Sequence, residues 1–176
     1  MSFSLVADRE FGRFTEITPE YLEKNGITLL LADLDNTLAV RSSHSPTDEV
    51  RRWEASLRAA GIRLMVVSNN RSGERVENYC RALGVPYIGH AGKPGRRGIE
   101  RAMALAGASA AETAMVGDRV TTDVLGAKRS GITAYIVRQI GGLKSPWHRF
   151  CYTLQLPFRL PARRRRREEA EKETKA

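Results

Sequence analysis

Cysteine is scarce. The 176-residue chain has only two, Cys80 and Cys151, with no C-x-x-C pair. That excludes a disulfide scaffold and leads us to expect two reduced thiols in a cytosolic protein. Long apolar runs are missing too: none approaches the roughly 18–20 residues a membrane-spanning helix needs. The first ten residues place Asp8, Arg9 and Glu10 where a secretory signal would need an apolar stretch. No internal repeat occurs, and His44, His90 and His148 stand at spacings that form no metal-ligand set. What remains is ordinary for a soluble domain: 41% hydrophobic and 28% charged residues, which excludes collagen-like and wholly disordered chains. The length fits one domain with a short remainder.

The net charge of +9 is unevenly placed. Residues 1–137 hold 18 Lys+Arg against 16 Asp+Glu, whereas residues 138–176 hold 11 against 4. The body is nearly neutral and the basic excess belongs to the tail, where attraction to an anionic partner would act. We therefore divide the chain into a body, 1–140, and a basic, partly disordered extension, 141–176.

Along the body, strands and helices alternate. Thr18-Pro19-Glu20 reads as the start of a helix, with Thr18 capping and Pro19 in the first helical position, and Asn25-Gly26 ends it. Ile27 to Asp33 is a near-continuous apolar run, as in a strand buried on both faces. Ser45-Pro46 opens a second helix that Gly61 closes. Further strands fall at Ile62–Val67, Val85–Ile88, Ala114–Val116 and Thr133–Val137, with helices at Gly73–Leu83, Pro94–Leu105 and Thr122–Arg129. Five short apolar runs separated by amphipathic helices predict an α/β fold with a parallel sheet and right-handed crossovers. Ligands of such sheets sit beyond the carboxyl ends of the strands.

Polar residues gather at those ends. After the first strand stands Asp33-Leu-Asp35-Asn36-Thr37, two carboxylates whose repulsion for a phosphate a hard divalent cation such as Mg²⁺ would offset. After the second come Ser68-Asn69-Asn70, and after the third Lys93-Pro94. After the fourth comes Gly117-Asp118-Arg119-Val-Thr-Thr122-Asp123. Ser68, Lys93 and Asp118 are spaced 25 residues apart. One hydroxyl, one lysine and two pairs of carboxylates on one sheet edge equip a site for phosphoryl transfer to a carboxylate nucleophile.

These four segments resemble the four motifs of the haloacid dehalogenase (HAD) superfamily of aspartyl-phosphate hydrolases, over residues 15–140. The wording Leu31-Ala-Asp-Leu-Asp-Asn-Thr-Leu38, Val66-Val-Ser-Asn-Asn70, Gly92-Lys-Pro94 and Val116 to Gly126 is similar to the YqeG-type branch of HAD subfamily IIIA. So is the opening Ile17-Thr-Pro-Glu-Tyr-Leu22. That branch is related to mitochondrial-type phosphatidylglycerophosphatases. The resemblance implies a three-layer, Rossmann-like HAD fold and a Mg²⁺-dependent phosphomonoesterase. In it Asp33 would be the nucleophile and Asp35 the general acid and base. Mg²⁺ would be held by Asp33, the backbone carbonyl of Asp35 and Asp118, with Asp123 orienting the metal's water from outside the ligand set. Ser68 and Lys93 would bind the transferring phosphoryl group, and Thr37 and the backbone at Asn36 and Asn69 would complete its cradle.

HAD enzymes often carry a cap domain after the first or second motif. Here only Leu38 to Ser45 separates Thr37 from the next helix, and one helix and one short strand fit between Asn70 and Lys93. No cap domain fits, so the site is expected to be open. His44 and His90 fall on its edge. In the extension, Trp147, Phe150, Tyr152, Leu154, Leu156, Phe158 and Leu160 alternate with polar residues, Pro157 and Pro161 argue against a continuous helix, and Arg163–Arg167 follow. This segment either packs on the body or helps dock the enzyme on an anionic leaflet. The substrate the resemblance favours is phosphatidylglycerophosphate at the inner face of a bacterial membrane. A soluble sugar or nucleotide phosphate, and an RNA- or ribosome-associated role for the arginine run, are the alternatives.

Overall fold

The computed structural model describes residues 5–141, 153 and 155–164. Trp147, His148, Phe150, Cys151, Tyr152, Leu154 and Arg165–Arg167 lie outside the described residues. Among the described residues six strands form one sheet: β1 (Arg9–Phe11), β2 (Leu29–Ala32), β3 (Arg63–Val67), β4 (Tyr87–Ile88), β5 (Thr113–Gly117) and β6 (Thr133–Val137). Their order is β1-β6-β5-β2-β3-β4, and every pairing is parallel. Around the sheet stand α1 (Pro19–Lys24), α2 (Asp48–Ala59), α3 (Gly73–Leu83), α4 (Arg97–Ala106) and α5 (Leu125–Arg129). Residues 155–164 form a further helix, α6.

The alternation of side chains along β2 builds the layers. Leu30 and Ala32 face a core shared with Leu22 of α1, Trp53 and Leu57 of α2, and Val76 and Tyr79 of α3. Leu29 and Leu31 face the other core, with Ile99 and Ala102 of α4 and Ala127 of α5. The result is the three-layer α/β fold expected. β2 is the central strand: the chain builds β3 and β4 to one side, then returns to place β5 on the other. A crevice therefore opens beyond the carboxyl ends of β2 and β5, where the strand order reverses.

Most boundaries agree with the sequence. Thr18 accepts a hydrogen bond from the Tyr21 amide at 3.2 Å, and Gly84 closes α3 in the left-handed conformation, φ 79°. α2 begins two residues later than Ser45-Pro46 suggests, because Thr47 is the residue that caps the Val50 amide. α4 begins at Arg97 rather than Pro94, since residues 92–95 first close a turn through Gly95 N–H to Gly92 O. The expected helix at 122–129 starts as a wide turn, Val120–Val124, before α5.

Two elements depart from expectation. β1 is short and charged, so it carries no apolar run, yet it pairs along β6 and buries Glu10. α6 forms in spite of Pro157 and Pro161, because tertiary contacts outweigh the prolines' local cost. Arg159 is wholly buried, donates to Val137 O at 2.6 Å and lies 3.6 Å from Glu10, which Arg163 contacts at 2.6 Å. Phe158 and Ala162 join the α4–α5 core.

Candidate active site

Past β2, the same alternation carries Asp33 onto the α4–α5 side, while Leu34 returns to the other core. The chain then folds on itself: Asn36 takes a positive φ of 63°, its N–H donates to Ala39 O at 2.7 Å, and the amides of Leu38 and Ala39 both donate to Leu34 O. Asn is among the few residues other than glycine that tolerate this conformation.

Lys93 stands at the centre. Its Nζ lies 2.7 Å from Asp33 Oδ1 and 2.7 Å from Asp123 Oδ1, with the side chain almost fully enclosed. A reciprocal pair of hydrogen bonds holds its backbone to the loop after β3: the Lys93 N–H donates to Asn69 Oδ1 at 2.8 Å, and Asn69 Nδ2 donates to Lys93 O at 2.7 Å. Asp123 comes from the wide turn and accepts the Arg119 N–H on Oδ2 at 3.1 Å. It reaches this place because residue 117 is glycine: a Cβ there would lie 2.2 Å from Asp123 Cγ. Wide turns of this kind inside helices often mark functional sites. Asp118 accepts a 2.6 Å hydrogen bond from Gln139 on Oδ2.

Oxygens of Asp33, Asp118 and Asp123 lie within 4.8 Å of one another, and all three residues are buried. Two of these carboxylates share the Lys93 ammonium group, and the third stands beside them. Burial pushes the Asp33 carboxyl up to about 6, with the Lys93 charge pulling it down and Asp123 pushing it up as smaller effects. Burial likewise pushes Asp118 up to about 7, and the charges of Asp123 and Asp33 add to it. Burial by itself would lower the Lys93 pKa, but Asp123 and Asp33 outweigh it and raise it. The cluster carries more negative charge than its own lysine balances. Both Asp123 oxygens are engaged, whereas Asp33 and Asp118 each keep one oxygen without a hydrogen-bond partner among the described residues. Hard oxygen donors in surplus negative charge fit a small divalent cation.

Asp35 is held separately. Asn70 Nδ2 donates to its Oδ2 at 2.7 Å, and Arg75 NH1 lies 2.8 Å from its Oδ1. Arg75, nearly buried on α3, also donates to Val40 O and Ser43 O. Ser68 is buried, with its Oγ accepting the Asn70 N–H at 3.1 Å.

A cavity of about 80 Å³ opens among these groups, lined by Asp33, Asp35, Ser68, Asn69, Lys93, Asp118 and Asp123. It is small, polar and open on one side, which suits a phosphoryl group and an ion with the rest of a substrate extending outward. Asn36 and Thr37 do not line it. The Asn36 N–H is spent on Ala39, and Thr37 is wholly buried with its Oγ1 unpartnered among the described residues. His44 and His90 stay outside as well. Arg41, Asn70, Arg119 and Thr122 complete the lining. Arg75 and Gln139, which the sequence reading did not single out, hold Asp35 and Asp118. Arg75 sits in the first turn of α3 with no motif to mark it, whereas Gln139 comes two residues after β6 at the same sheet edge and could have been found there.

The chain matches the haloacid dehalogenase-like hydrolase family over residues 4–131. It is 33% identical over 121 residues to a protein of Bacillus subtilis described as a probable phosphatase, YqeG, covering 69% of this chain and 70% of that protein. Among solved structures it resembles a deoxy-D-mannose-octulosonate 8-phosphate phosphatase of Haemophilus influenzae in its cobalt-bound form. There the TM-score is 0.53 at 18% identity, over 78% of this chain and 92% of that one. A putative HAD subfamily III A hydrolase of Legionella pneumophila matches with TM-score 0.50 and 19% identity, over 80% and 88%. The sheet order, the strand-end carboxylates and the family match agree: the chain is an enzyme of the haloacid dehalogenase-like hydrolase family.

Proposed function

We propose that this enzyme is a phosphomonoesterase that works through an aspartyl-phosphate on Asp33 and depends on Mg²⁺. The observation that carries the reading is Lys93 bridging Asp33 and Asp123 at 2.7 Å each, with Asp118 beside them and Ser68 on the same cavity wall. Asp33, the backbone carbonyl of Asp35 and Asp118 would hold the metal, and Asp123, its oxygens already engaged, would orient the metal's water. When bound, the cation offsets the repulsion between these carboxylates and a phosphate.

The remaining steps belong to the chain's own groups. An Asp33 oxygen attacks phosphorus while the ester oxygen leaves with a proton from Asp35. The Asp35 carboxylate then takes a proton from water, whose oxygen attacks the phosphorus of the aspartyl-phosphate. Inorganic phosphate leaves, and Asp33 and the protonated Asp35 are restored. Lys93 and Ser68 bind the phosphoryl oxygens throughout, and Lys93 stabilises the charge that develops on them. Asn69 acts by fixing the Lys93 backbone. Asn36 and Thr37 shape the loop that presents Asp35.

For the substrate, the resemblance to the YqeG-type branch favours phosphatidylglycerophosphate, met at the inner face of a bacterial membrane. An open site with no cap domain supports it, since a large substrate can supply the cover a cap would. Among the described residues no helix is long and apolar enough to cross a membrane, so docking would be peripheral, aided by the basic extension. A soluble phosphate ester is the second reading, favoured by a cavity that grips little more than the phosphoryl group.

The test is phosphate release from phosphatidylglycerophosphate in mixed micelles, beside soluble sugar and nucleotide phosphates, with Mg²⁺ or EDTA and with Asp33→Asn as blank. Metal-dependent release from the lipid well above the panel is expected. Release from soluble esters alone discards the lipid. No release from any ester, with salt-sensitive RNA binding through Arg163–Arg167, would replace the reading with a nucleic-acid role.

A further inference from the structure

We propose that the substrate's alcohol part carries a second negative charge, and that Arg41 and Arg119 receive it at the mouth of the cavity. This rests on the phosphomonoesterase reading and narrows its substrate class. Three cations line the cavity: Lys93, Arg41 and Arg119. Lys93 is enclosed and committed to two carboxylates, which places it for the transferring phosphoryl group. The arginines are placed differently. Arg41 stands on the loop between β2 and α2 with its side chain 68% exposed, and Arg119 follows β5 with its side chain 38% exposed. They approach the site from two neighbouring strands of the sheet.

Among the described residues neither guanidinium is used up. The nearest carboxylate oxygen to Arg41 is Asp35 Oδ2 at 4.0 Å, and the nearest to Arg119 is Asp118 Oδ2 at 3.9 Å. Both distances are too long for hydrogen bonds, so the fork of donors on each side chain stays open to a ligand. Asp35 has Arg75 and Asn70 as close partners, and Asp118 has Gln139, so neither carboxylate depends on the outer arginine for its position. Their exposure sets these two forks on the outer side of the cavity, where a substrate's alcohol part would extend from a phosphoryl group held at Lys93. Planar guanidinium groups suit carboxylate or phosphodiester oxygens, which can accept two parallel hydrogen bonds.

The recognised chemistry is a singly charged oxyanion close to the phosphomonoester, and two pairs of soluble esters distinguish its source. Glucose 6-phosphate against 6-phosphogluconate adds a carboxylate. Glycerol 3-phosphate against glycerophosphoglycerol phosphate adds a phosphodiester. For each we would measure kcat/KM with Mg²⁺ on the full chain, and binding to Asp33→Asn by calorimetry, so that recognition is read without turnover. Arg41→Gln and Arg119→Gln are compared with Arg52→Gln, an exposed charge of α2, which controls for net charge.

A preference for the charged member of one or both pairs is expected. Charge-assisted hydrogen bonds lead us to expect each site substitution to lower kcat/KM for that member by roughly tenfold more than for its neutral counterpart, whereas Arg52→Gln leaves the ratio unchanged. Preference in one pair alone names the anion. Equal losses for charged and neutral esters, or no preference in either pair by turnover or binding, would overturn the proposal and leave the phosphomonoesterase reading standing. Preferential binding of the charged esters without hydrolysis of any would do the reverse.

Discussion

Two buried charge clusters in this molecule make opposite use of the same residue types. At the carboxyl ends of β2 and β5, Asp33 and Asp123 share Lys93, with Asp118 beside them. On the far flank of the sheet, Glu10 of β1 is shared by Arg159 and Arg163 of α6, and Arg159 also satisfies Val137 O. The first has more carboxylates than cations and raised carboxyl pKa values; the second has two arginines on one carboxylate. A buried cluster with surplus charge is costly to the fold and persists where a ligand completes it. A carboxylate shared by two arginines of another element fixes that element against its own. We read the first as the catalytic centre and the second as the clasp that seats α6 on the enzyme.

The largest contrast is expected from Asp33→Asn. Loss of the nucleophile lowers kcat by at least about 10⁴-fold. The metal-free variant is expected to melt no lower than the parent, because a carboxyl that burial disfavours has been neutralised. A large fall in melting temperature would show that the site's charges serve the fold instead.

The clasp should respond the other way, in stability more than in chemistry. Glu10→Ala strands two arginines, one of them wholly buried, and should cost about 3–5 kcal/mol in urea unfolding. Arg159→Met costs less, since Arg163 still pairs with Glu10. Arg163→Ala, at a partly exposed position, costs least. If the three variants lost stability equally, Glu10 would not be the hub.

Metal removal probes the surplus directly. The Asp118 carboxyl sits near 7 in the metal-free fold, against an ordinary value of 3.8. The folded site therefore holds a proton the unfolded chain has released, and that contribution to stability is lost as pH rises from about 4 through 7. Mg²⁺ should raise the melting temperature more at pH 8 than at pH 5, and equal shifts at both would count against the cluster as its site.

The smallest effect connects the two regions. Gln155 of α6 accepts the Val120 N–H at 2.9 Å, at the start of the wide turn that carries Asp123. Gln155→Ala should cost about 1 kcal/mol and lower kcat only a few-fold, with KM little changed. No change in either would mean that α6 braces nothing in the site.

Much of the catalytic edge was legible because its residues follow strands whose apolar runs are plain. Leu29 to Ala32 announces β2, and Asp33 and Asp35 come straight after it. What escaped the sequence depends on contacts that are distant along the chain. Arg75 reaches back to Asp35 from the first turn of α3, and β1 shows only Arg-Glu-Phe, its burial set by β6 and α6. α6 was misjudged because proline's local cost is visible in sequence, whereas the Glu10–Arg159 contact, between residues 149 positions apart, is not. Asn36 shows a subtler limit. Its motif position suggested a backbone donor to phosphate, and the loop's own closure onto Ala39 takes that donor.

A nucleophilic Asp33 is covalently phosphorylated during turnover, and the phosphoryl group can be trapped there. With p-nitrophenyl phosphate, whose leaving group needs little help from an acid, Asp35→Asn should release about one nitrophenolate per site and then stall. Acid-quenched peptide mapping should find the phosphoryl group on Asp33. Steady release without a burst in that variant, a label on another residue, or undiminished turnover by Asp33→Asn would contradict the account.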